Sequence, residues 1–300
     1  MMPLIGRPGI VVVDKPRGPS SHQVAAWVGE ILGVPVGHAG TLDPMVSGVL
    51  VVMLGRAVRL ARLLLRHEKE YVCLMRLHGD VDEARIREVA SEFVGRIYQR
   101  PPRRSAVKRQ LRIRRIHSLD VLGIDGRLVL FRVTCEAGTY IRSLCHHLGL
   151  AAGCGGHMVE LRRTRSGAFG EADAITLHAL KDAAVRAEAG DRETLDAMIL
   201  PVEVAAPDLK AIAIGDRAVD AVCRGAALAG VGVVELPVFR AGETIALVTR
   251  KGELVALART LVPSDATAPG RTGLVAAPET VFMAPGTYPR GWARKECLPG

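Results

Sequence analysis

Apolar residues recur along the chain in two rhythms, and each rhythm predicts its own kind of element. The run GIVVVDKP (9–16) is short, apolar and closed by proline, which predicts a buried strand ending in a turn. Val24, Trp27, Val28, Ile31 and Leu32 follow at helical spacing; Ser20 and Ser21 can cap that helix and Gly33 can end it. The stretch GHAGTLDPMVSGVL (37–50) opens as a loop, VLVVML (49–54) reads as a strand and Arg56 to His67 as a helix. In EYVCLMRL (70–77) the alternation puts Tyr71, Cys73, Met75 and Leu77 on one face of a strand, and Ile86, Val89, Ala90 and Phe93 give another helical stripe. LRIRRI alternates as a strand would, Asp125 and Gly126 predict a hairpin turn, and GTYIRSLCHHLG (138–149) predicts a strand end passing into a helix.

The pattern changes between Pro201 and Pro207. Before it lie two short helical patterns, capped near Thr176 and Asp191; after it the chain is rich in Gly, Val and Ala, with one helical stretch, DRAVDAVCRG (216–225). IALVTRKGELVALART (245–260) predicts a hairpin about Lys251 and Gly252. The expected division is a first domain over 1–205, a β-rich module of about 80 residues over 206–290, and a tail over 291–300.

Composition adds a class of partner. The 300 residues are 49% hydrophobic, enough for a sizeable core, and Lys plus Arg exceed Asp plus Glu by 40 to 31, a net charge of +9. An excess of that size suits nucleic acid or a membrane surface. Its location is more telling: RIYQRPPRRSAVKRQLRIRRIH (96–117) holds nine Lys or Arg and no acid. That arm is either a solvated loop or a strip that neutralises phosphates. The longest stretch without formal charge, Ser143 to Val159, is broken by His and Gly, so no membrane span is expected. Six cysteines without CxxC spacing fit thiols in a reducing cytoplasm.

Candidate chemistry centres on Asp43, which has no second acid beside it. Before Pro44 it can be a helix cap or turn residue. Chemically, a lone carboxylate suits covalent or proton-shuttling work, provided a cation such as Arg142 holds it ionised in a buried site. Glycoside hydrolysis ordinarily takes two carboxylates. His146, His147, Cys154 and His157 match no common zinc spacing, so no metal is expected there.

Taken in order, GIVVVDKPRGPSSHQV, GHAGTLDPMVSGVL, KEYV, GTYIRSL and ELRRTRSG resemble the signature motifs of the pseudouridine synthase family that includes bacterial tRNA pseudouridine-55 synthases and the dyskerin-like H/ACA enzymes. RPPRRSAVKRQLRIR and GHMVELRRTRSGAFGEADAITLHALKDA resemble the dyskerin-like branch, the lack of Lys-rich tails resembles its archaeal form, and the C-terminal module is similar to its RNA-binding PUA domain. The resemblance implies an α+β catalytic domain on a mixed, largely antiparallel sheet, followed by a small β-barrel-like PUA domain. It implies isomerisation of uridine to pseudouridine in RNA without a cofactor. Asp43 would attack C1′ or take a proton from C2′, Tyr71 would stack on the flipped base and help proton transfer, and Arg142 would pair with the aspartate. His38 would open or hold the RNA, Lys15 would order the motif, Leu161 would pack beside the base and Tyr140 would buttress the site. Arg103, Arg104, Lys108 and Arg109 would bind substrate phosphates. The implied partners are substrate rRNA or tRNA, an H/ACA guide RNA, and small zinc-ribbon-like, Gly/Arg-rich-type and kink-turn-binding proteins. A stand-alone tRNA pseudouridine-55 synthase and a non-catalytic RNA-assembly factor are the alternatives.

Overall fold

The structure is a computed structural model that describes residues 4–6, 8–100, 110–205, 207 and 209–290. It divides into two compact units: one holds Ile10–Leu54 and Leu60–Leu200, the other Gly55–Arg59 together with the chain from Pro201 onward.

In the first unit the chain runs through β1 (Gly9–Lys15), α1 (Ser21–Leu32), β2 (Val36–Ala39), β3 (Ser47–Leu54), α2 (Ala61–Leu64) and β4 (Lys69–Leu77). It continues through α3 (Glu83–Glu92), β5 (Gly95–Gln99), β6 (Arg112–Asp125), β7 (Leu128–Cys135), α4 (Ile141–Ala151), β8 (Gly156–Ser166), β9 (Phe169–Gly170), α5 (Leu177–Glu188) and α6 (Glu193–Met198). The strands form one sheet in the order β1-β3-β8-β4-β7-β6-β5, with β2 beside β3 and β9 beside β8. The pairs from β8 through β5 are antiparallel, whereas β3 joins β8 in parallel. The sheet is therefore mixed and largely antiparallel.

Local chemistry explains several boundaries. Ser20 caps α1 by accepting the Gln23 N–H, and Gly33 ends it at φ 67°. The inward residues Cys73, Met75 and Leu77 of β4 join Ile86, Val89, Phe131, Leu144 and Leu161 in one buried cluster. A second cluster packs Val24, Val28 and Leu32 of α1 against Val11, Val13, Leu50 and Val52 of β1 and β3, with Leu180 and Ala183 of α5.

Two elements differ from the sequence reading. Residues 37–50 are not a loop throughout: His38 lies in β2, antiparallel to Val52 of β3, and only 40–46 is irregular. Two glycines in four residues hide so short a strand. The helix expected over 56–67 is a 3₁₀ turn, Gly55–Leu60, followed by the single-turn α2, because nothing caps a longer helix there.

The second unit contains β10 (Ala211–Ile214), α7 (Asp216–Cys223), β11 (Leu228–Ala229), β12 (Val233–Glu235), β13 (Thr244–Thr249), β14 (Leu254–Thr260) and β15 (Leu274–Val281). Its sheet runs β11-β15-β14-β13-β10-β12, with β10 and β13 parallel. Ile212, Val219, Leu247, Val255 and Val275 form its core. Asp220 of α7 accepts the Gly286 N–H at 2.8 Å and Tyr288 bonds Glu253 at 2.5 Å, which fastens the last described segment to this unit.

Candidate active site

Asp43 opens a tight turn in which its carbonyl accepts the Val46 N–H at 3.0 Å, with Pro44 at the position that favours such a turn. Of the two readings of Asp43 as a structural residue, the turn is the one realised.

The loop around it has little regular structure, yet side chains from elsewhere hold it at short intervals. Ser21, fully buried at the start of α1, donates to the Leu42 carbonyl at 2.8 Å and accepts the Leu42 N–H at 2.7 Å. Lys15, the buried last residue of β1, donates to the carbonyls of Pro16 and Val46, each at 2.8 Å, and of Pro44 at 3.3 Å. Arg163 of β8, 1% exposed, donates from Nε to Val49 O and from Nη2 to Gly40 O, both at 2.8 Å. The carbonyls of Gly40, Leu42, Pro44, Val46 and Val49 are thereby all taken by buried donors, and Asp43 sits at the centre of a fixed loop.

Arg142 completes the arrangement. Its Nη2 meets Asp43 Oδ2 at 2.5 Å across 99 positions of sequence. The guanidinium fixes the carboxylate's orientation. The expectation of a buried carboxylate needs correction: Asp43 is 58% and Arg142 53% exposed, since the turn projects Asp43 beyond the residues that anchor it. Arg142 is held in turn from its own side. Gln99, buried at the end of β5, donates to the Tyr140 carbonyl at 3.1 Å and accepts its N–H at 2.9 Å, fixing the residue that caps α4 just before Arg142.

Tyr71 lies on β4 opposite Arg163 of β8 and is half-buried. Burial pushes its phenol above the ordinary value, the Arg163 guanidinium draws it back, and the charge of Asp43 adds to the rise. The hydroxyl therefore keeps its proton at neutral pH. Burial lowers the Lys15 ammonium, a shift that Asp43 opposes and Arg163 reinforces. His38, on β2, is lowered by burial and then by His22 and Arg163, so its imidazole is neutral at pH 7; its Nδ1 is buried without a hydrogen-bond partner among the described residues.

The remaining predicted residues fall in different places. Leu161 is buried in the same cluster as Leu42 and Val46, the apolar residues that flank Asp43. Tyr140 precedes α4 and is half-buried. Arg103, Arg104, Lys108 and Arg109 lie outside the described residues. His157 Nδ1 bonds His78 Nε2 at 2.8 Å, and the His146 and His147 rings lie 5.8 Å apart, tilted by 46°. Among the described residues no group of three or more His, Cys, Asp or Glu is placed to hold a metal.

Ser21, Gln99, Lys69 and Arg163 escaped the sequence reading. Arg163 and Lys69 had a detectable signal, since each occupies an inward position of an alternating strand, in register with Leu161 and Tyr71 respectively. Ser21 looks like a second capping serine, and nothing in the sequence pairs Gln99 with Tyr140.

Comparison with known proteins identifies the first unit, with its mixed sheet and Asp43–Arg142 pair, as a pseudouridylate synthase and the small β-rich unit after it as a PUA domain. Residues 31–141 match the N-terminal domain of the TruB family of pseudouridylate synthases, 142–206 the C-terminal domain of tRNA pseudouridylate synthase B, and 210–282 the PUA domain. A protein described as probable tRNA pseudouridine synthase B from Methanosarcina barkeri is 53% identical over 291 residues, 96% of this chain and 86% of that one. Its counterpart from Methanothermobacter thermautotrophicus is 53% identical over 95% of this chain and 89% of its own. Among solved structures, an H/ACA RNP bound to a substrate RNA containing 2′-deoxyuridine aligns with a TM-score of 0.85 at 47% identity, covering 95% of this chain and 88% of that one. A Cbf5-Nop10-Gar1 complex aligns with a TM-score of 0.85 at 50% identity, covering 94% and 87%. The chain belongs to the TruB family. It is a pseudouridine synthase with a C-terminal PUA domain.

Proposed function

We propose that Asp43, Tyr71 and Arg142 carry out the isomerisation and that the enzyme is the catalytic subunit of an archaeal H/ACA guide-RNA particle acting on rRNA, and on tRNA position 55. The observation that carries the assignment is the 2.5 Å ion pair between Asp43 and Arg142, made on a loop whose Gly40, Leu42, Pro44 and Val46 carbonyls are held by buried donors. The reaction breaks C1′–N1, turns the uracil, forms C1′–C5 and moves the proton lost from C5 to N1. Every heavy atom stays in the nucleotide and no water is added, so no second acid is needed to activate water. Asp43 attacks C1′ or removes the C2′ proton; both require the ionised carboxylate that Arg142 orients, and both require the base out of its stack. Tyr71 offers a ring for that base and a protonated hydroxyl for the proton traffic. His38, neutral, holds the RNA near the target, and the cations of 103–109 bind its phosphates.

The guide-dependent reading draws on the likeness to proteins solved in an H/ACA RNP with substrate RNA and in a Cbf5-Nop10-Gar1 complex. Partners of those two kinds, a guide RNA, and a kink-turn-binding protein are accordingly proposed for this chain. The relatives described as probable tRNA pseudouridine synthase B favour stand-alone action on tRNA as the second reading. Uridine tritiated at C5 releases tritium when C5 is joined to C1′, which gives the assay. Wild type is expected to release it from rRNA fragments with guide and partners, and Asp43→Asn to lose at least about a thousandfold in rate. Full activity of Asp43→Asn would refute the catalytic assignment. Release from a tRNA arm by the protein alone, with none from guided rRNA, would favour the stand-alone enzyme.

A further inference from the structure

Five of the six cysteines lie among the described residues, all as free thiols, and two of them meet. Cys73 of β4 and Cys145 of α4 bring their Sγ atoms to 3.5 Å across 72 positions of sequence. Both are wholly buried. Cys135, Cys154 and Cys223 make no sulfur–sulfur contact among the described residues.

The meeting follows from the rhythms of the two elements. Cys73 shares the inward face of β4 with Met75 and Leu77, and α4 buries Ile141, Leu144, Cys145 and Leu148 in the same cluster. Cys73 stands two residues after Tyr71 on the strand, and Cys145 three residues after Arg142 on the helix. The sulfur contact therefore lies where the element carrying Tyr71 packs on the element carrying Arg142. As thiols the pair makes only a weak hydrogen bond. A covalent bond asks for about 1.5 Å of further approach, to about 2.0 Å. The hydrogen bond with Cys145, and then burial, push the Cys73 thiol well above its ordinary value, so the closed core holds no Cys73 thiolate and admits no oxidant. The reactive state is the open one: before α4 docks, both thiols are in water, and docking then presses them together.

We propose that Cys73 and Cys145 are a disulfide site, which a small-molecule disulfide closes into a crosslink between β4 and α4 as the helix docks on the sheet. One protein thiolate attacks the small disulfide, breaking its S–S bond and releasing one small thiol. The other thiolate attacks the protein sulfur of the mixed disulfide and releases the second. The protein sulfurs lose two electrons, the small disulfide gains two, and the two protein protons end on the two small thiols. Once formed, the crosslink lies in the core, out of reach of reductant. It closes a loop of 72 positions, and it acts chiefly by restricting the unfolded chain. The site rests on the packing of α4 on β4 and not on the proposed reaction.

The test uses the full-length protein, unfolded with reductant and refolded either in dithiothreitol or in equimolar reduced and oxidised glutathione. Remaining thiols are alkylated with iodoacetamide in denaturant and located by peptide mass spectrometry. After refolding in glutathione, the peptides holding Cys73 and Cys145 should be joined and lighter than their reduced sum by the mass of two hydrogens, with Cys135 alkylated. The joined form should melt about 5 °C or more above the thiol form, and this rise should vanish in Cys145→Ala. Recovery of Cys73 and Cys145 as alkylated thiols, or joined to glutathione or to other cysteines, would overturn the site. A joined form that melts no higher than the thiol form would also overturn it, since the bond would then not fit the native packing. A rise that persists in Cys145→Ala belongs to another pair and counts equally against the proposal. Should Cys145→Ala fail to fold, the peptide map of the wild type decides alone.

Discussion

Arg142 and Arg163 both act on the Asp43 loop, one through an exposed pair and one through buried bonds to carbonyl oxygens. Exposed ion pairs contribute less than about 1 kcal/mol, so Arg142→Met should leave the urea midpoint nearly unmoved while lowering kcat about a hundredfold through loss of carboxylate orientation. Arg163→Met has the opposite emphasis. It strands the carbonyls of Gly40 and Val49, each about 1–3 kcal/mol if left unsatisfied, and loosens the loop that carries Asp43, so urea denaturation should show a large loss of stability together with a fall in kcat. Comparable stability losses in the two variants would contradict this division. Asp43 was legible in the sequence only through motif resemblance, because its turn, its anchors and its cation are set by residues far from it in the chain. Arg142 was a candidate cation in the sequence, and the meeting of α4 with the loop is what makes it the partner.

The elements that were legible carry their own start and stop signals. Helix α1 has Ser20 and Gly33, the β6–β7 hairpin has Asp125 and Gly126, and both formed where their local chemistry demanded. The pairing of β3 with β8 has no local signal: it depends on Gly48, at φ 102°, where a Cβ would sit 2.2 Å from the Arg163 carbonyl. Gly48→Ala should therefore cost at least about 2 kcal/mol, read as a lowered midpoint in urea, by forcing the two strands apart. Lys69, at the start of β4, shows how a buried cation serves two elements. It donates to Leu64 and His67 carbonyls at the end of α2, at 3.1 and 2.6 Å, and burial followed by the Arg163 charge lowers its pKa to about 8. The folded pKa lies below the unfolded value of 10.5, so between about pH 8 and 10.5 the unfolded chain binds more protons and stability must rise with pH. The full effect is about 3 kcal/mol, absent below pH 8 and present above 10.5. Lys69→Met should lack this rise, so the stability difference between wild type and variant, measured from pH 7 to 11, should change across that window; a constant difference would exclude the shift.

For the molecule as a whole, charge is the property that the sequence reports most directly, because it does not depend on which elements form. Nine cations between 96 and 117 equal the net +9 of the entire chain, so this one segment should supply most of the salt-sensitive part of RNA binding. Replacing Arg103, Arg104, Lys108 and Arg109 by Gln removes four of those charges. If each neutralises one phosphate, the slope of log K against log salt should flatten by about 3, with each contact on single-stranded RNA worth about 0.7. Affinity at low salt should fall by orders of magnitude, whereas the difference between wild type and variant should shrink as salt rises, since both lose their counterion-release advantage. The expected kinetic signature is a raised KM with a much smaller change in kcat, because phosphate contacts position the RNA and Asp43 acts on a nucleotide already placed. Equal loss of affinity at low and high salt would mean that the four side chains act through packing rather than charge.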